Sequence, residues 1–457
     1  VLDKGFIPMA AFTSAFEASA KNGKDIAVAV ERNQGQVAVR RLKIHGTPAM
    51  DKADKVYVER TVKMLLWAYG GWKVVVCGDE ALGRYIAEAY APGGARAFDA
   101  DFMGRVYERD FTVEIRPLSE TPEAYSASAP VGRNLDGCRI GFDAGGSDRK
   151  VSAVLDGEPI YSEEVVWFPK TISNPDYHFE GIMAALSTAA AKILEKGGHV
   201  DAIGVSSAGV YIDNKCMVAS LFLKVGKDEF DKKVKNIYTR AAEQLSSQLG
   251  YHIPVVVAND GDVSALAGAM GLGENGIMGI AMGTSEAVGY VDTEGNICGW
   301  LNELAFAPVD GQPDAMEDEW SGDIGCGVKY FSQDGVIKLA PRAGIQLDES
   351  ASPAEKLKAV QKLMAEDDPR AAKVYESIGC YLGHTLAYYY QTYGFRYVLL
   401  LGRVMSGKGG DILMETCDRV LKDEYPEIAD KFQLKLPDEY FRRVGQSMAV
   451  ASLPQIG

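Results

Sequence analysis

Residues 140–157 read "IGFDAGGSDRKVSAVLDG", and residues 278–295 read "MGIAMGTSEAVGYVDTEG". Each is an apolar strand, a glycine turn with a hydroxyl side chain, a second strand and a short acidic glycine turn. Either stretch alone is an ordinary β-hairpin, because short glycine motifs are common. Two copies in one chain predict a duplicated domain. If the halves face each other, the two turns flank one cleft. Such turns suit phosphate, since glycine lets backbone N–H groups approach an anion and the hydroxyls add donors. The first contains Asp143, Gly145, Gly146 and Ser147; the second contains Gly283, Thr284 and Ser285.

The rest of the chain sets bounds on this reading. A length of 457 residues exceeds one compact core, so two or three domains are expected. Apolar residues make up 47% and charged residues 24%, an ordinary globular balance, and no apolar run is long enough to cross a bilayer. A net charge of -15 would repel a nucleic-acid backbone. The expected partners are therefore small molecules, with no nucleic acid and no membrane. Cys77, Cys138, Cys216, Cys298, Cys326, Cys380 and Cys417 are scattered and include no Cys-x-x-Cys pair. That pattern fits reduced thiols in a cytoplasmic protein. The opening "VLDKGFIPMAAF" carries no basic-then-apolar signal and reads as a processed end.

Periodicity divides the chain into three consecutive blocks. Residues 1–133 form an N-terminal α/β domain. It holds a hairpin, "DIAVAVERNQGQVAVRRLKI", turning at Asn33-Gln34-Gly35, a helix over Val58–Tyr69, a strand over Lys73–Cys77, a helix near Glu80–Tyr90 and a strand over Phe111–Ile115. The hairpin faintly echoes the other two, with Glu31 in the place of the Asp, and suggests a degenerate copy that caps the molecule or mediates assembly. No basic recognition helix is present, which argues against DNA binding. The stretch 117–137 looks like a linker.

Residues 134–262 form a first lobe and 263–457 a second. A helix over His178–Lys196 places Phe179, Ile182, Met183, Leu186, Ile193 and Leu194 on one face. The strand "DAIGVSSAG" and a helix with Phe230, Val234, Ile237 and Leu245 in one stripe follow. Ser352-Pro353-Ala354-Glu355 predicts a capped helix start, Asp368-Pro369 another that runs to about Tyr393, and "YVLLLG" a late strand. The apolar strand "IPVVV" runs into "ANDGDVSALAGAM". Asn259-Asp260 there is a helix cap, a carboxylate held at a strand's C-terminal end, or both. Such a carboxylate can take the proton of a hydroxyl attacking phosphorus. The five histidines show no ligand spacing.

From about residue 138 onward the chain resembles the ROK family of bacterial sugar kinases and sugar-responsive repressors, within the actin-like, hexokinase-like ATPase-domain superfamily. "DAGGSDRK", "IGVSSAG", "ANDGDVSALAG", "MGTSEAVGYVDTEGNICGWLNELAFAPVD" and "YVLLLGRVMSGKGG" follow in family order. The resemblance implies an α/β fold of duplicated RNase H-like domains around a cleft, preceded by the extra N-terminal domain. It makes Asp260 the general base and places Asp143 near the metal-bound phosphates. Gly145, Gly146, Ser147, Gly283, Thr284, Ser285 and Gly402 become phosphate or nucleotide contacts, and Asn259, Asp260, Glu303 and Glu317 sugar contacts. ATP and Mg²⁺ are the implied cofactors, with Mg²⁺ entering on the nucleotide, and a homodimer is one assembly the chain could form.

Three departures qualify the match. Phe306 stands where the family's zinc site has a His, and residues 308–320 contain no Cys, so no zinc is expected. Glu286 replaces a Gly beside the second phosphate turn, which is unfavourable unless the acid points away from the anion or meets a metal. Arg403 replaces a Gly of the nucleotide loop and either meets phosphate or ribose or lies on the surface. The function implied is ATP-dependent phosphorylation of a hydroxyl on a hexose or N-acetylhexosamine. The alternative is a sensor of the same fold that binds sugar or nucleotide without turnover.

Overall fold

The computed structural model describes residues 1–128, 130–437 and 445–456. Its first sheet is built from β1 (Lys24–Glu31), β2 (Val37–Ile44), β3 (Lys73–Cys77) and β4 (Thr112–Arg116), in the order β2-β1-β3-β4. Gln34 and Gly35, both at positive φ, turn the β1–β2 hairpin as the sequence suggests. The echo of the other hairpins ends there. β3 runs antiparallel to β1 and parallel to β4, whereas in the domain that follows the third-layer strand runs parallel to its hairpin. The two sheets thus differ in the direction of the strand beside the hairpin. Helix Asp51–Tyr69 starts seven residues before the expected Val58, and helix Ala97–Tyr107 was not anticipated.

The second sheet contains β5 (Cys138–Ala144), β6 (Asp148–Leu155), β7 (Glu158–Val166), β8 (Val200–Ser207) and β11 (Val255–Asn259), while β9 (Val210–Ile212) and β10 (Lys215–Val218) form a separate hairpin. Its order is β11-β8-β5-β6-β7. β5, β6 and β7 are an antiparallel meander, and β8 and β11 are parallel to β5. Apolar residues of the strands pack against helices Pro175–Glu195 and Ile237–Leu249, with Ile140, Phe142, Ile182, Leu186, Ile193, Ile203 and Leu245 all buried. Leu194 is the exception to the expected helical face: it is 44% exposed, on the solvent side of the last turn. The expected stripe from Phe230 is a π turn over Phe230–Val234 that leads into the helix at Ile237.

The third sheet, β13-β12-β14-β15, uses β12 (Ile277–Met282), β13 (Glu286–Val291), β14 (Tyr397–Leu401) and β15 (Gln433–Lys435). Again a glycine-turn hairpin lies beside a later strand, which is the duplication read from residues 140–157 and 278–295. Two helices start where their caps predict. Ser352 and Glu355 form a capping box, and Asp368 accepts the Arg370 N–H at 2.8 Å.

The chain forms two compact units rather than three consecutive blocks. One contains Val1–Ala127, Ile280–Val288 and Trp300–Leu436; the other contains Ser128–Gly279, Gly289–Gly299 and Pro437–Gly457. Within the first, the last carbonyls of helix Asp51–Tyr69, on Trp67, Ala68 and Tyr69, accept the N–H groups of Glu303 (3.0 Å), Asn302 (3.0 Å) and Leu301 (3.3 Å). A helix end leaves those carbonyls without intrahelical partners, and here a remote segment satisfies them. Among the described residues, no helix is long and apolar enough to cross a membrane.

Candidate active site

The candidate residues fall into two groups, one in each unit. In the unit built on β5–β11, strand register brings the first group together. Asp143 of β5 pairs in register with Ser206 of β8, and Ser207 of β8 pairs with Asn259 of β11. The glycine turn and Asp260 thus both follow the carboxyl ends of parallel strands, β5 and β11, that flank β8, where open α/β sheets place ligands. Asn259 caps the helix Asp260–Leu272: its Oδ1 accepts from Gly261 N at 2.7 Å and Asp262 N at 3.4 Å, and its Nδ2 donates to Gly209 O at 2.7 Å. Among the described residues the other amide N–H of Asn259 has no partner. With Asn259 as the cap, Asp260 is the first helical residue, and its Oδ1 shares the Gly261 N–H at 3.0 Å.

Both carboxyl groups are hard to ionise. Asp143 is pushed up to about 6, first by crowding that strips its water and then by the negative charge of Asp260, while the Ser206 hydroxyl partly offsets the rise. Asp260 is also raised by desolvation, with the Gly261 N–H and Lys170 pulling the other way. Ser206 and Lys170 were not singled out from sequence. Serine and lysine are too common to signal anything until the register and the fold of the loop are known.

The first turn is shaped for close approach. A side chain on Gly146 would meet Lys170 Cε at 2.8 Å, and one on Gly145 would meet Asp148 O at 2.8 Å. Gly146 and Ser147 are exposed, and the Ser147 hydroxyl donates to Asp148 Oδ2 at 3.0 Å. A backbone this bare, with a hydroxyl at its tip, fits a phosphate group.

The other unit holds Gly283, Thr284, Ser285, Glu303, Glu317 and Gly402. Gly283 N donates to Ser285 O at 3.0 Å, closing the second turn and leaving Thr284 and Ser285 exposed. Gly402, at φ 92°, lies against the end of β12, where a side chain would meet Met282 O at 2.3 Å. The nucleotide loop and the second turn are therefore neighbours. Glu303 is half-buried and its backbone is fixed by Trp67 O, whereas Glu317 is exposed. Glu286 points inward: it is 4% exposed, and its carboxyl fills the space above Gly327. Arg403 is exposed.

The residues near Phe306 do not fit zinc. Phe306 packs on Trp67 (4.5 Å), Phe98 (5.6 Å) and Phe102 (6.3 Å). Beyond it, Asp323 is buried among three cations, Arg60 (2.9 Å), Lys63 (3.2 Å) and Arg96 (2.7 Å), and Lys63 also meets Asp99 at 2.9 Å. Among the described residues, no group of three His, Cys, Asp or Glu side chains is placed to hold a metal.

No protein-family model matches the chain, and no curated protein matches its sequence. Solved structures do. A ROK family glucokinase from Streptomyces griseus, in complex with glucose and AMPPNP, aligns with TM-score 0.50 at 18% identity over 69% of this chain and 98% of its own. The ROK hexokinase of Thermus thermophilus gives 0.50 and 18% over 68% and 97%. A ROK family transcriptional regulator, a homologue of the E. coli MLC protein, gives 0.53 and 17% over 70% and 78%. The chain has the fold shared by these ROK sugar kinases and this ROK regulator.

Proposed function

We propose that the protein is an ATP-dependent kinase for a hydroxyl of a hexose or N-acetylhexosamine. The observation that carries this reading is Asp260, a carboxylate directly after β11, beside the Asn259 cap, that is made more basic by burial. The sugar hydroxyl gives its proton to Asp260 as its oxygen bonds to the terminal phosphorus. The bond from that phosphorus to the bridging oxygen breaks, and its electron pair leaves with ADP. Gly145, Gly146 and Ser147 bind phosphate, as do Gly283, Thr284, Ser285 and Gly402, while Asn259, Glu303 and Glu317 orient the sugar. Mg²⁺ arriving with the nucleotide, near Asp143, would neutralise phosphoryl charge.

A panel of sugars assayed for ATP-dependent ADP release tests the proposal. Asp260→Asn is expected to lower turnover by ~10²–10⁴, the usual worth of a general base, while calorimetric sugar affinity changes little. Equal turnover in the variant removes Asp260 as the base. Sugar binding without turnover by the parent, with any nucleotide, favours the sensor reading instead. The regulator among the structural matches shows that this fold also serves proteins described by a regulatory role.

A further inference from the structure

The segment that follows β7 is locked onto the first glycine turn. Trp167, 1% exposed, donates its indole N–H to Gly145 O at 2.8 Å and its backbone N–H to Ser147 O at 3.1 Å. His178, fully buried, bonds Pro169 O through Nε2 at 3.0 Å and Asn174 O through Nδ1 at 3.2 Å. The Tyr177 hydroxyl receives the Phe168 N–H at 3.0 Å. These anchors fix the backbone that leads into Lys170. Its side chain crosses Gly146, with Nζ 3.1 Å from where a β-carbon would stand, and its charge reaches Asp260. Among the described residues it forms no ion pair, the pairs passing from Lys150 to Lys192, although the chain carries 63 acidic side chains to 48 basic ones. An unpaired cation over a glycine turn whose own acid, Asp148, is already met by Ser147 (3.0 Å) and Lys150 (3.6 Å) is placed for a multiply charged anion.

We infer that Lys170 is a catalytic residue whose ammonium meets the terminal phosphate of a nucleoside triphosphate over Gly145–Ser147. The inference rests on the kinase reading and extends it. As the sugar oxygen bonds to phosphorus and the bridging bond breaks toward ADP, negative charge spreads over the phosphoryl oxygens. The proton goes to Asp260; Lys170 keeps its own protons and offsets the charge by position alone. Gly146 is part of this device, because any side chain there would push the lysine off the turn.

The test compares full-length parent, Lys170→Met and Lys170→Arg by steady-state ADP release and by calorimetry with AMPPNP and with the sugar. Lys170 is exposed, so folding should be unaffected. Losing one such donor costs ~10²–10³ in kcat in other enzymes, and Lys170→Met is expected to lose that much, with weaker AMPPNP binding and unchanged sugar affinity. Lys170→Arg, which keeps the charge, should recover much of the loss. A Met variant with parental kcat overturns the inference and leaves the kinase reading standing. If the parent turns over no sugar, the kinase reading falls and AMPPNP affinity decides the matter. Weaker binding by the Met variant then supports the phosphate contact, and equal binding overturns it.

Discussion

Glu286 follows the second glycine turn directly, where an ionised acid would repel phosphate. The fold resolves the conflict by turning the side chain inward. Neither carboxyl oxygen has a hydrogen-bond partner among the described residues, and the group is pushed up to about 8, first by loss of water and then by Glu303. A lone buried acid keeps its proton because an unpaired buried charge is far more costly. The unfolded chain would release that proton near the ordinary value of 4.5. Between there and about 8 the unfolded state binds fewer protons, so stability falls as pH rises and then levels off. At about 1.4 kcal/mol per pKa unit, the effect amounts to several kcal/mol. Glu286→Gln stays neutral, so its unfolding midpoint should fall less than the parent's between pH 5 and pH 9. Parallel profiles would show that Glu286 is ionised in the folded protein. Sequence marks the acid as out of place, but its direction depends on Gly327, where a side chain would meet Glu286 Oε2 at 2.4 Å. That neighbour lies forty-one positions away and could not be read in advance.

At the level of elements, local chemistry was legible and long-range packing was not. The caps at Ser352 and Asp368, the hairpin turns and the strands Lys73–Cys77 and Tyr397–Leu401 follow from residues within one turn of each feature. The short helix Gln446–Ala451 has no such signal, since six residues show no period, yet it closes one face of the second sheet. It does so through two strand glycines. A β-carbon on Gly204 of β8 would stand 1.7 Å from Val450 O, and one on Gly141 of β5 would stand 2.9 Å from Ser447 O. In "IGVSSAG" the glycine resembles a family letter; in the structure it is the space a helix backbone occupies. Backbone cannot yield as a flexible side chain can, so Gly204→Ala should cost at least the ~1–3 kcal/mol typical of overpacking. A thermal unfolding midpoint equal to the parent's would mean that the helix is not held this closely.

Across the whole molecule, the duplicated hairpins are legible in the sequence, whereas the way the chain gathers into compact units is not. Alternating strands and helices reveal consecutive blocks, whereas the unit that holds Glu303 is assembled from residues 1–127, 280–288 and 300–436. The N-terminal block contributes Trp67, whose carbonyl holds Glu303 N and whose ring packs on Phe306, together with Arg60, Lys63 and Arg96 around Asp323. The segment that would carry the resemblance's zinc ligands is instead tied down by aromatic packing and buried ion pairs. Lys63, Asp99 and Asp323 are each at most 4% exposed, so no water could replace a lost partner. Removing one member of a buried ionic group typically costs ~3–5 kcal/mol, because the remaining charges stay buried without compensation. Asp323→Asn keeps the shape but takes the shared negative charge from three cations, and it should lower stability by about that amount. A strong chelator should leave the parent's unfolding midpoint unchanged. A parent destabilised by chelator would mean that a metal helps to organise this segment, and a variant as stable as the parent would mean that the charge of Asp323 does not.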